Sequence, residues 1–98
     1  MSLEEFSDND VIVEYVHIRI QKRNNRQNIT TVQGIPDKYD LKRIVKVCKK
    51  EFACNGCIVN DKTYGDIIQL QGDQRENMKK FITIVGLVPE SHIKVHGN

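Results

Sequence analysis

The 98 residues predict an α+β domain of order ββαββα with a short closing strand, its mixed sheet covered by two helices on one face and open on the other. Three patterns carry this. Apolar residues alternate with polar ones in the first strand, two later stretches repeat at helical spacing, and the polar alternates of the strands leave one sheet face without an apolar cover. At roughly 100 to 200 residues per domain the chain holds one domain and a modest core. Residues 13–98 are expected to form it, behind a short, acidic and flexible tail over residues 1–12 containing Glu4, Glu5, Asp8 and Asp10.

From Val13 to Arg23, Val16, Ile18 and Ile20 fall on one face, and Tyr15, His17, Arg19 and Gln21 on the other. Asn24-Asn25-Arg26-Gln27 interrupts with turn-prone residues. The β-branched run Ile29 to Gln33 then completes a hairpin with a basic tip, and Gly34, Pro36 and Asp37 stop it. After Asp37 or Asp40, either of which can cap a helix, Leu41, Ile44, Val45, Cys48 and Phe52 form one apolar stripe. Lys42, Arg43, Lys46, Lys49 and Lys50 fall on the opposite arc, so the first helix presents a basic face.

Asn55-Gly56 is expected to end that helix in a left-handed turn. Cys57 to Asn60 reads as the third strand, Asp61-Lys62-Thr63-Tyr64-Gly65 as a turn, and Ile67 to Gln71 as the fourth, with Ile68 and Leu70 inward and Gln69 and Gln71 on the open face. Gly72 to Glu76 opens the second helix, where Asp73 and Glu76 have the spacing of a capping box. Met78, Phe81, Ile82 and Val85 give its stripe, and Gly86 its stop. Ile93 and Val95, between His92 and His96, form a short edge strand.

Charge is distributed unevenly. Between His17 and Lys50 ten Lys and Arg side chains face only Asp37 and Asp40, a local net charge of +8 inside a chain whose total is +2. Such concentration is the footprint of a polyanionic partner, usually nucleic acid. Lysines act as point charges, so phosphates are the expected targets; Arg26, able to bind phosphate bidentately or stack on a base, suits a more demanding contact. Cys48, Cys54 and Cys57 are an odd set without disulfide-scaffold density, which fits reduced thiols in the cytoplasm. Cys54 and Cys57 alone lack the four ligands of a structural zinc site, and His92 and His96 have helical metal spacing in what reads as a strand, so no metal and no cofactor are expected. No apolar run reaches the roughly 18 residues that cross a bilayer, and the acidic opening lacks signal-peptide character. No nucleophile–base arrangement or phosphate-cradling glycine loop is legible, which argues against an enzyme. An acyl-phosphate hydrolase on a similar scaffold needs an anion loop that Arg23-Asn24-Asn25-Arg26 lacks, and a generic single-strand RNA binder needs more sheet aromatics than Tyr15.

The strings His17-Ile18-Arg19-Ile20-Gln21, Thr30-Thr31-Val32-Gln33-Gly34, Phe52-Ala53-Cys54-Asn55-Gly56, Ile68-Gln69-Leu70-Gln71-Gly72-Asp73-Gln74-Arg75 and Lys94-Val95-His96-Gly97 together resemble the eukaryotic translation initiation factor one family, over about residues 15 to 97. The resemblance implies an α/β plait that binds the small (40S) ribosomal subunit and its RNA near the P site, close to initiator tRNA and other initiation factors. There it promotes scanning and enforces start-codon selection by opposing premature tRNA accommodation. It implies a monomer away from the ribosome. By the same resemblance, Arg23, Asn24, Asn25 and Arg26 of the hairpin and Lys42, Arg43, Lys46, Lys49 and Lys50 of the helix meet ribosomal RNA. Asp61, Lys62, Thr63 and Tyr64 face the tRNA, and Asp73, Gln74 and Gly97 bear on start-site stringency. The chain departs from the family at Asn25 and Gln27, where Gly and Lys are common, and in its short tail and final Asn98.

Overall fold

The computed structural model describes residues 14–24 and 27–97. The expected acidic tail, Asn25, Arg26 and Asn98 lie outside the described residues. The elements run β1 (Val16–Lys22), β2 (Asn28–Gln33), α1 (Leu41–Glu51), β3 (Gly56–Asp61), β4 (Gly65–Gln71), α2 (Arg75–Val85), a 3-10 turn (Glu90–His92) and β5 (Ile93–Val95). The sheet has the spatial order β3-β4-β2-β1-β5. All its pairings are antiparallel except β1 with β5, where Val16 lies opposite Ile93 and Ile18 opposite Val95. It follows that β2 runs parallel to β3 and β4 parallel to β5, so each helix is the crossover of a βαβ unit whose strands are held apart by others. Helix α1 lies over β3 and β4, and α2 over β1 and β5.

One core forms between the helices and the sheet. Val16, Ile18, Val32, Ile68, Leu70, Cys48, Met78 and Ile82 are at most 1% exposed, with Ile44 and Val45 nearly so. These are the positions that strand alternation and helical spacing bring inward. Deleting a side chain such as Ile82 back to Ala should cost about 2–5 kcal/mol, the usual sum of lost transfer energy and residual cavity. Phe52 and Phe81, half-buried, meet edge to face at 6.3 Å between the two helices.

Two turns differ from the sequence reading. The left-handed residue after α1 is Ala53 (φ 50°), not Asn55 or Gly56. Gly56 instead opens β3 where a Cβ would come within 2.7 Å of Leu70 Cδ2 and 2.9 Å of the Gln69 carbonyl oxygen, so the glycine answers to close approach rather than to φ. At α2 the capping box forms only in part. Asp73 Oδ1 accepts from the Arg75 backbone at 3.3 Å, and no bond returns from Glu76 among the described residues. Gln74 takes the cap position without a side-chain cap; its side chain instead bonds the Gln71 carbonyl and Asn77, and its own N–H donates to Thr30.

Candidate nucleic-acid interface

Helix α1 supplies the largest cationic surface. Asp40 fixes its start, Oδ1 accepting from the backbones of Lys42 (3.1 Å) and Arg43 (3.4 Å), and thereby satisfies two of the amides a helix leaves open. With Ile44, Val45 and Cys48 locked inward, rotation about the helix axis is fixed, and Lys42, Arg43, Lys46, Lys49 and Lys50 are all exposed. Lys49 and Lys50 also lie in the last turn, where the helix dipole favours cations. None of the five joins an ion pair among the described residues; the pairs present there are Arg75–Asp73 at 2.8 Å and Lys79–Glu90 at 3.4 Å. Exposed and in no ion pair among the described residues, the helix cations are available to an external anion.

The hairpin base is ordered by its own bonds. The Arg23 amide donates to the Gln27 carbonyl (3.0 Å), and the Gln27 amide to Asn24 Oδ1 (2.9 Å). Arg23 and Asn24 are exposed there, whereas Asn25 and Arg26 at the tip lie outside the described residues. A groove of about 620 Å³ runs from Arg23 and Gln27 past Asn55 at the end of α1 to Gly72 and Gln74, and so brings the hairpin base and the turn before α2 to one end of the molecule. The Asp61–Tyr64 loop belongs to the other end. Asp61 Oδ1 accepts from the amides of Thr63 (2.7 Å) and Tyr64 (3.0 Å), which closes a tight turn and leaves the Tyr64 ring 59% exposed. Tyr64 and Lys42 line a common cleft of about 1170 Å³, together with Asp37, Asp40 and Asp66.

Asp73 and the backbone just before Gly97, distant in sequence, are joined through Arg75. Its Nη2 and Nε donate to Asp73 (2.8 and 2.9 Å), and its Nη1 donates to the carbonyl of His96 (3.0 Å), the residue before Gly97. The Arg75 hydrogen bond holds the Asp73 carboxyl below its usual range, and Arg75 is itself raised by Asp73. Gln74 is engaged on all sides: its amide donates to Thr30 Oγ1 (2.8 Å), its Nε2 to the Gln71 carbonyl (3.0 Å), and its Oε1 accepts from Asn77 (2.8 Å). Two contributors escaped the sequence reading. His17, which alternation placed on the open sheet face, lies 3.0 Å from His96, and Thr30 anchors the turn. The strand pattern marks Thr30 as a polar residue at an inward position, which was the available signal.

Among the described residues no three His, Cys, Asp or Glu side chains converge as metal ligands, and no helix is long and apolar enough to cross a membrane. Cys48 is buried, Cys54 half-buried and Cys57 exposed, all as free thiols.

Comparison with known proteins gives the family. The family model of translation initiation factor SUI1 matches residues 13–88. The eukaryotic translation initiation factor eIF1 of Drosophila melanogaster is 55% identical over 91 residues, covering 93% of this chain and 83% of that protein. Human eukaryotic translation initiation factor 1 is 55% identical over 84 residues, or 86% of this chain and 74% of that one. The protein translation factor SUI1 of Eremothecium gossypii is 57% identical over 83 residues, 85% and 77% of the two chains. In structure, the C-terminal domain of human eIF2D superposes with a TM-score of 0.75 over 86% of this chain and 43% of that one. At 14% identity it speaks for the fold alone.

Proposed function

Starting from the fact that this chain belongs to the translation initiation factor SUI1 family, we propose that it binds the small ribosomal subunit near the P site, promotes scanning and enforces start-codon selection by opposing premature accommodation of initiator tRNA. The observation that carries this is the cationic face of α1, five exposed side chains of one sign, none in an ion pair among the described residues, on a helix whose rotation the core fixes. Such a face anchors on phosphates, gives strongly salt-dependent affinity and orients the rest of the domain without reading sequence. The hairpin residues Arg23, Asn24, Asn25 and Arg26 add a second anchor.

On this reading the domain acts by binding and not by catalysis, in the cytoplasm, alongside other initiation factors. The Asp61–Tyr64 loop approaches the tRNA, and Asp73, Gln74 and Gly97 govern stringency. Rejection of a wrong codon then requires that the factor bind the open, scanning state more tightly than the closed one, since equal affinity for both shifts nothing. A tenfold preference corresponds to about 1.4 kcal/mol.

The test is binding of labelled protein to purified small subunits across a salt series, with a Lys46→Glu/Lys49→Glu/Lys50→Glu variant alongside. Salt-sensitive binding that the variant loses is the expected result. Absence of binding to intact subunits at low salt overturns the proposal.

A further inference from the structure

Thr30 lies at the middle of β2, 0% exposed, between Ile20 of β1 and Leu70 of β4. An inward position in a central strand ordinarily carries an aliphatic side chain, and Val would fill the same volume without the cost of burying a hydroxyl. That hydroxyl is fully used. It donates to the Gly72 carbonyl at 2.7 Å and accepts the Gln74 amide at 2.8 Å, so one atom clamps both ends of the turn that carries Asp73. Gly72 in turn donates its amide to the Asn28 carbonyl at 2.8 Å and takes a positive φ of 86°, which lets the chain leave β4 sharply beneath β2. Asp73 itself is exposed and Gln74 half-buried; their direction is set from below.

We infer that Thr30 is a positioning residue for start-codon discrimination, its buried hydroxyl holding the Gly72–Gln74 turn so that Asp73 and Gln74 are presented in one fixed geometry. The inference rests on the stringency role proposed above for those two residues. Thr30 is shut off from solvent, so it cannot touch RNA or a partner protein. Any effect on discrimination must act indirectly, through the turn its hydroxyl holds or through overall stability, whereas Arg75, with its partly exposed side chain, could also make a contact of its own.

The experiment compares Thr30→Val, Thr30→Ser, Asp73→Ala, Gln74→Ala and Ile82→Val in the full chain. Ile82→Val serves as a core variant that leaves the turn bonds in place. Four quantities are read: amide exchange at Gln74, thermal midpoint, affinity for small subunits, and the ratio of initiation at AUG to a near-cognate codon in a reconstituted system. Thr30→Val should speed Gln74 exchange by about tenfold, the loss of one amide hydrogen bond. It should lower the codon ratio at unchanged subunit affinity, and Thr30→Ser, which keeps the hydroxyl, should restore both. If Asp73→Ala or Gln74→Ala lowers the ratio and Thr30→Val does not, Thr30 is no positioning residue. If Thr30→Val and Ile82→Val lower the ratio in step with their thermal midpoints, the effect is general instability and the inference falls. If neither Asp73→Ala nor Gln74→Ala moves the ratio, the stringency role fails first and takes the inference with it.

Discussion

Nδ1 of His17 lies 3.0 Å from Nε2 of His96, with the ring planes 26° apart, and this contact spans 79 positions of sequence to tie the end of β5 to β1. One ring must donate and the other accept, so the bond needs at least one neutral imidazole. Burial, then Arg19, His96 and Lys94, hold the His17 pKa below 6.5; the Tyr15 and Gln33 side chains on the same face bring no compensating negative charge.

The sign of the pH dependence follows. Below about pH 6.5 the unfolded chain takes up a proton at His17 that the folded chain refuses, so the unfolded state binds more protons and stability falls as pH drops through the folded pKa. The urea midpoint should therefore decline between about pH 7.5 and pH 5.5, and His17→Gln should flatten that decline. A midpoint that is level across this range in the parent chain contradicts the assignment. Asp73, whose pKa is lowered by Arg75, adds a separate loss only at more acid pH, below its ordinary value of 3.8.

Gly34 and Ala53 should respond oppositely to exchange of glycine and alanine. Gly34 has φ 94°, and a Cβ there would lie 2.3 Å from the Tyr15 carbonyl oxygen, so Gly34→Ala combines backbone strain with overlap. A loss of about 2–4 kcal/mol is expected. Ala53 already sits at φ 50°, and Ala53→Gly should gain up to about 1 kcal/mol, a few degrees in thermal midpoint. Calorimetry of the two variants reads both signs.

Asp40→Ala removes the acceptor for two amides at the start of α1 and should cost about 1 kcal/mol. Asp40→Asn, which still accepts, should cost less. Because the cap orients the helix that carries the cationic face, amide exchange at Lys42 and Arg43 should quicken in the alanine variant ahead of the rest of the helix.

The three thiols should modify in order of exposure. Cys48 is wholly buried, its Sγ 3.8 Å from Met78 Sδ, and burial pushes its pKa up to about 12. Cys57 on β3 is exposed and Cys54 half-buried. A thiol-exchange reagent at neutral pH should label Cys57 first and Cys48 only as the domain opens. Fast labelling of Cys48 would contradict the core described here.

The faces of the elements were legible in the sequence, but their neighbours were not. The stripe Ile44, Val45, Cys48 fixed the basic face of α1 because helical spacing alone decides which side chains turn inward. Alternation likewise put Ile68 and Leu70 inward on β4. The order β3-β4-β2-β1-β5 is a matter of pairing between distant segments, on which local periodicity is silent. The same limit hid the His17–His96 and Thr30–Gly72 contacts. It also hid the bond by which the Thr30 hydroxyl of β2 accepts the Gln74 amide, 44 positions away, at the start of α2. Ala53 gave no signal, since alanine is rarely the left-handed residue.

The two crossovers interleave: β4 fills the gap between β2 and β3, while β2 and β1 fill the gap between β4 and β5. No contiguous half of the chain contains a closed sheet. Cutting the Asp61–Tyr64 loop would leave two fragments, each with strands whose hydrogen-bonding edges belong to the other, so they should stay unstructured apart and regain the sheet only on mixing. The domain should therefore melt in a single step, with loss of either crossover dissolving both.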